Sequence, residues 1–331
     1  MKNVEGHRMR AVICAAGLAF ALAGCKGSAD AAKSENAAQP PFMSAVASKP
    51  PQIPTDALLP EKTGGFDGKA AYEHVAKMVS FGPRPSGSQA IAQTQDYILA
   101  QLKSFGCTVE ADDFNATTPV GPVPMKNILV KIQGERPGII LLGTHYDTLK
   151  KDNFVGADDA GSSTGMMLEL ARLLCAKHGH YGVWIAFFDG EEAVQQWSDT
   201  DGRYGSKEMA AKLSISGDLK NVKAFLLADI VGGRTMVIKK ESSSNAGLTN
   251  QIWATANRLG YDRVFVNESG EVQDDHDSFL KRGVPSVDVI GDFLSSGYWH
   301  TPQDNMEQIS AKSLGIVGHV FLETIKQLQA K

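Results

Sequence analysis

The chain has 331 residues, of which 43% are hydrophobic and 21% charged. That composition suits a soluble globular protein with a large core and excludes wholesale disorder and fibrous classes. The formal net charge is −4, from 33 basic and 37 acidic residues, and no long basic run occurs, so no nucleic-acid partner is expected.

The N-terminal part differs from the rest. Lys2, Arg8 and Arg10 precede an apolar stretch from Ala11 to Gly24. A positive segment followed by an apolar run shorter than the roughly 20 residues of a membrane span reads as a secretory signal. The stretch ends in Leu22-Ala23-Gly24-Cys25, which resembles the bacterial lipobox. That resemblance implies an exported lipoprotein whose mature chain starts at a lipidated Cys25. With Lys26 following, outer-membrane or periplasmic localisation is expected. Residues 25–63 are rich in Ala, Ser, Lys and Pro without an apolar period and read as a disordered tether. Cys107 and Cys175 are the remaining cysteines of that mature chain, and two cysteines leave pairing or free thiols equally open.

From Gly64 to Lys331 helical and strand patterns alternate. Lys69 to Ser80 and Gln89 to Phe105 read as helices. Cys107 to Phe114 and Lys126 to Ile132 read as strands of a hairpin or meander. The apolar runs Gly138 to Thr144, Gly182 to Phe188, Val222 to Ala228 and Pro285 to Ile290 read as buried strands. Ser162 to Lys177 is helical. A last helix places Leu314, Val317, Phe321, Ile325 and Leu328 at spacings of three and four. Such alternation predicts one domain, a three-layer α/β/α sandwich with a mixed, mainly parallel central sheet.

In such sheets function gathers at the carboxyl ends of the strands. There this chain is acidic. His145-Tyr146-Asp147 follows one buried strand, and Gly156-Ala157-Asp158-Asp159 opens the next helix. Asp189-Gly190-Glu191-Glu192 and Asp229 follow two more strands. Asp274-Asp275-His276 and Trp299-His300-Thr301 come later. Singly, such residues are usually turn residues or helix caps. Converging from separate segments, carboxylates and imidazoles form a zinc donor set, and three protein ligands leave a position open for catalysis.

In this order the motifs resemble the zinc aminopeptidase family, as does Gly82-Pro83-Arg84-Pro85-Ser86-Gly87-Ser88. Several segments are similar to the zinc-dependent glutaminyl cyclases in particular. They are Phe187 to Glu192, Trp197-Ser198 with Asp201, Tyr204-Gly205-Ser206, Asp274 to His276 with Phe279-Leu280, Arg282 to Pro285, and Trp299 to Thr301. The resemblance spans residues 66–331. It implies that Asp159, Glu192 and His300 hold one Zn2+ and that Glu191 is the general acid/base. It further implies that Asp229 and Asp274 hydrogen-bond near the reacting amine and the leaving amide, and that Trp197 and Trp299 wall the substrate pocket. The implied reaction converts N-terminal glutamine of peptides or proteins to pyroglutamate with release of ammonia. Trp184 and Trp253 lie in strand and helix patterns and are assigned to the core. Asp275 and His276 read equally as support for the site or as a cap of the following helix.

The chain also departs from the cyclases. The positions of a cysteine pair there look like Thr144 and Thr164 here, and Leu149 precedes Lys150-Lys151 where a lysine is expected earlier. The main rival is a two-zinc aminopeptidase, with His145 and Asp229 binding a second ion and Asp159 bridging. The insertion Ala193 to Arg203, which bears Trp197, argues against that more open site. A second rival is a non-enzymatic envelope lipoprotein, against which the full ligand set and Glu191 weigh. Expected partners are peptides or proteins with N-terminal glutamine and, through Cys25, a membrane. A monomer is expected.

Overall fold

Six strands build the sheet in a computed structural model that describes residues 55–331. The expected signal segment, Cys25 and most of the expected tether lie outside those residues. The tether's last residues belong to the fold. A single turn at Pro60–Lys62 leads to Thr63, which is buried and donates its Oγ1–H to the Phe66 carbonyl at 2.6 Å. Asp56 accepts a hydrogen bond from Ser310.

The strands are β1 (Val109–Thr118), β2 (Gly121–Ile132), β3 (Gly134–His145), β4 (Gly179–Phe188), β5 (Val222–Asp229) and β8 (Ser286–Ile290). Their spatial order is β1-β2-β4-β3-β5-β8. β1 and β2 form an antiparallel hairpin, and β2 joins β4 antiparallel. β4, β3, β5 and β8 run parallel, with Leu141 of β3 between Trp184 of β4 and Phe225 of β5. The sheet is mixed and mainly parallel, as the apolar runs imply.

Side-chain alternation decides which helix covers which face. Ile140 and Leu142 of β3 join the larger core cluster with residues of α1 (Gly68–Val79), α3 (Ser163–Leu174) and α8 (Ala311–Gln329). α2 (Gln89–Ser104) and α5 (Ala246–Arg258) add to that layer. Leu141 faces the opposite cluster, with Met209, Ala210 and Leu213 of α4 (Tyr204–Ser216) and Phe279 of α6 (His276–Leu280). The five apolar positions read in α8 are all buried. Trp184 and Trp253 are 8% exposed, in the core as expected.

Two helices, α4 and α7 (Phe293–Ser296), and a small parallel pair, β6 (Ile238–Glu241) with β7 (Phe265–Gly270), escape the sequence pattern. α4 mixes small and charged residues with only three buried nonpolar ones after its first turn, so its period is faint. α7 is too short to show one. Cys107, before β1, and Cys175, at the end of α3, form a disulfide that ties the edge hairpin to the helix layer.

Candidate active site

Every parallel strand ends at the same edge of the sheet, and the loops that leave it carry the acidic motifs. β3 ends at His145, β4 leads into Asp189 to Glu192, and β5 ends at Asp229. Asp159 lies in a wide turn, Ala157–Ser162, before α3, and the Asp159–Ala160 peptide is cis. Gly156 opens that turn at φ 48°, and a Cβ there would lie 1.9 Å from the Asp159 carbonyl oxygen. Only glycine fits so close an approach.

His300 brings two of these segments together. Its Nε2 is 3.2 Å from Asp159 Oδ2 and 3.2 Å from Glu192 Oε1. The three residues offer one donor atom each within 4.8 Å of one another, an oxygen–oxygen–nitrogen set that suits zinc with an open position. His300 itself sits at φ 54°, a costly conformation for a non-glycine residue that the surroundings must hold. Trp299 stacks on its ring at 4.0 Å, Phe154 meets it edge-on, and Lys151 binds its carbonyl.

A second trio shares Asp159. His145 Nε2 is 3.3 Å from Asp159 Oδ1 and 3.2 Å from Asp229 Oδ1. The imidazole is buried, and burial lowers its proton affinity. Asp229 and contacts with Asp147 and Asp159 outweigh that, so His145 is held well above its ordinary value. Burial likewise disfavours charge on Asp159, but hydrogen bonds from His145 and His300 leave its carboxyl below the usual range. The Asp229 carboxyl is pushed up by burial to about 7 although His145 opposes this.

A cavity of about 530 Å3 opens above the first trio. Asp159, Glu191, Glu192, Asp229, Asp274 and His300 line it together with the more exposed Trp197 and Trp299. These two tryptophans are 38% and 37% exposed, which separates them from the buried pair in the core. Trp197 is carried by the 193–203 loop. Asp201 shapes that loop by accepting the backbone N–H groups of Val194, Gln195 and Gln196 and the Tyr204 hydroxyl. Buried Arg203 supports the Trp197 ring from 5.1 Å and pairs with Asp277. Burial pushes the Glu191 carboxyl well above its ordinary value; His145 opposes the shift and Asp274 adds to it. Asp274 is also raised by burial, and its Oδ2 has no hydrogen-bond partner among the described residues.

Other residues hold this arrangement. Asp147 accepts the N–H groups of Glu191 and Glu192, fixing the turn that presents both side chains. Asp304 does the same for Asp158 and Asp159. Asp158 accepts Gly232 N–H and the Tyr298 hydroxyl, joining the Asp159 turn to the His300 loop. The 82–88 segment supplies two anchors. Fully buried Arg84 donates to the carbonyls of Tyr146, Val155 and Gly156, and Ser86 donates to Asp189 at 2.6 Å. Asp147 and Arg84 lie in motifs that the sequence displays, but Asp304 and Tyr298 sit in polar loops with no local pattern to mark them.

The two departures have local accounts. Thr144 donates to Ser163, and Thr164 donates to the His145 carbonyl, so hydroxyls tie β3 to α3 at these positions. Leu149 lines the cavity. Asp275 does not cap α6: its side chain makes no cap hydrogen bond, and both its carboxylate oxygens lack partners among the described residues. His276 instead faces Glu241 at 3.1 Å and Ser243 at 3.2 Å, bracing the 274–276 turn from behind.

An α/β/α sandwich with carboxylates and imidazoles gathered at its strand ends has the architecture of the metal-dependent exopeptidase class. Residues 127–325 match the model of peptidase family M28. Glutaminyl-peptide cyclotransferase of Gloydius blomhoffii is 30% identical over 271 residues, covering 70% of this chain and 73% of the relative. The crystal structure of an Acidobacteriales bacterium glutaminyl cyclase is similar with a TM-score of 0.76 at 38% identity, covering 80% of this chain and 95% of that one. A Zn-dependent exopeptidase from Parabacteroides distasonis is similar with a TM-score of 0.72 at 31% identity, covering 78% and 98%. The chain belongs to peptidase family M28 and, within it, to the glutaminyl cyclases.

Proposed function

We propose that this chain is a glutaminyl-peptide cyclotransferase that turns the N-terminal glutamine of peptides or proteins into pyroglutamate, working with one Zn2+. The observation that carries the reading is a buried Glu191, adjacent in sequence to Glu192 of the Asp159–Glu192–His300 trio but outside it, in a cavity lined by two partly exposed tryptophans.

The reaction is intramolecular: the α-amine attacks the γ-carboxamide carbon, and ammonia leaves. Its main demand is to fold the side chain so that amine and carbonyl meet. Trp197 and Trp299 hold the side-chain methylenes and exclude water. Asp229 and Asp274 accept hydrogen bonds near the amine and the amide nitrogen. Glu191 takes a proton from the attacking amine and gives one to the departing nitrogen. Burial equips it for both steps by bringing its proton affinity towards that of its partners. Asp159, Glu192 and His300 would hold the Zn2+, which would supply Lewis acidity at the γ-carbonyl.

The His145–Asp159–Asp229 trio is what favours a two-zinc aminopeptidase as the second reading. Loop 193–203, with Trp197 held against Arg203, contributes a wall of the cavity and weighs against the more open site of that rival. The test is titration of zinc into chelator-treated enzyme while ammonia release from Gln-Ala is followed. One equivalent restores full activity on the proposed reading; a requirement for two, with release of the N-terminal residue, supports the rival.

The chain is further inferred to be an exported lipoprotein anchored at Cys25, its tether spacing a monomeric catalytic domain from the membrane. Labelling with radioactive fatty acid that disappears in Cys25→Ser supports this; unchanged labelling, or none in the parent, rejects it.

A further inference from the structure

We infer that Glu271 makes the site selective for glutaminyl peptides with basic residues directly after the glutamine. This rests on the cyclotransferase reading and concerns the part of the cavity that the reaction does not use. A single glutaminyl residue is smaller than the cavity of about 530 Å3. The lining also includes Leu149, Gln195, Glu271, Val272, Gln273 and Phe293, of which Gln195, Glu271 and Gln273 are exposed, so the chain that follows the glutamine leaves past this solvent-facing wall. That wall carries one ionisable group, and it is acidic.

Glu271 follows the end of β7 directly and starts the 271–275 link that carries Asp274. It is exposed, and it makes no ion pair or side-chain hydrogen bond among the described residues. Its carboxylate is therefore free for a substrate cation. No lysine or arginine lines the cavity. Lys150 and Lys151 follow Leu149 but are not part of the wall, and the Lys151 ammonium is tied to the His300 carbonyl. The apolar neighbours Val272 and Phe293 can cover the stem of a lysine or arginine while its head reaches Glu271. An exposed pair alone is weak, but a cleft with nonpolar walls focuses the field of its charges.

The test compares kcat/KM for three peptides that begin with glutamine and continue with two lysines, two alanines or two glutamates. The wild-type enzyme should prefer the lysine peptide over the glutamate peptide by about tenfold at low ionic strength, with the ratio shrinking as salt is added. Glu271→Lys should bring the ratio to one or invert it, and Glu271→Gln should fall between. An unchanged ratio in Glu271→Lys, or no discrimination by the wild type, overturns the inference while cyclisation of the alanine peptide leaves the parent reading standing. If the alanine peptide releases no ammonia, the parent reading falls and this inference falls with it.

Discussion

Glu191 and Glu192 are adjacent and buried, and both N–H groups are held by one carboxylate, that of Asp147. The shared anchor lets one side chain meet His300 while the other stays free of it. Replacing Glu191 by Gln keeps size and removes the titrating group. Glu191→Gln should retain zinc by metal analysis and lose turnover by about 10²–10⁴-fold. Loss of zinc together with activity would place Glu191 among the ligands. Trp299 stacks on His300 and stands in the cavity wall, so Trp299→Ala should raise KM by about tenfold, with a smaller effect on kcat. Glu191, Glu192 and Asp229 were legible because they follow apolar strand runs, whereas Asp159, Asp274 and His300 stood out through the order of motifs that resembles the cyclases. Residues that orient them from a distance were not legible: Asp304 reaches back 145 and 146 positions to the Asp159 turn, and no local pattern encodes such a partner.

At the scale of elements, the segment 82–88 shows how a loop far from the chemistry shapes the site. Arg84 is fully buried and satisfies three carbonyls of the segments that flank His145 and Asp159. Arg84→Leu leaves those carbonyls without donors and should cost about 3 kcal/mol or more of stability in denaturant unfolding, with activity lost in parallel. The Cys107–Cys175 bridge closes a loop with a sequence separation of 68. Replacing both cysteines by serine should lower stability by about 4 kcal/mol on the chain-entropy account and leave kcat/KM nearly unchanged, since neither residue lines the cavity. The strands of the main sheet were legible because buried parallel strands are continuous apolar runs, and α8 because its period is unbroken. The β6–β7 pair, α4 and α7 were not. β7 is largely polar, α7 is about one turn long, and α4 buries only Met209, Ala210 and Leu213 as nonpolar residues after its first turn. The pairing of the two cysteines depended on tertiary placement and could not be read from their number.

Among the described residues, the domain is organised around one edge of its main sheet. The domain begins before Gly64, since Thr63 is buried and Asp56 is bonded to Ser310, so the boundary expected from composition lies a few residues late. Flexible-looking residues such as those preceding Phe66 acquire structure from the body they dock on, which composition alone does not report. The near-neutral net charge conceals a concentration of carboxylates at the strand ends, where imidazoles and a zinc ion would balance several of them. The metal donors suit both an aminopeptidase and a cyclase, so the reaction itself is the decisive observable. Incubation of the zinc-loaded protein with a peptide that begins with glutamine, followed by mass spectrometry of the product, separates the two directly. The account predicts a product that has lost one ammonia and keeps every peptide bond. Free glutamine and a peptide shortened by one residue, with no cyclised product, would contradict it.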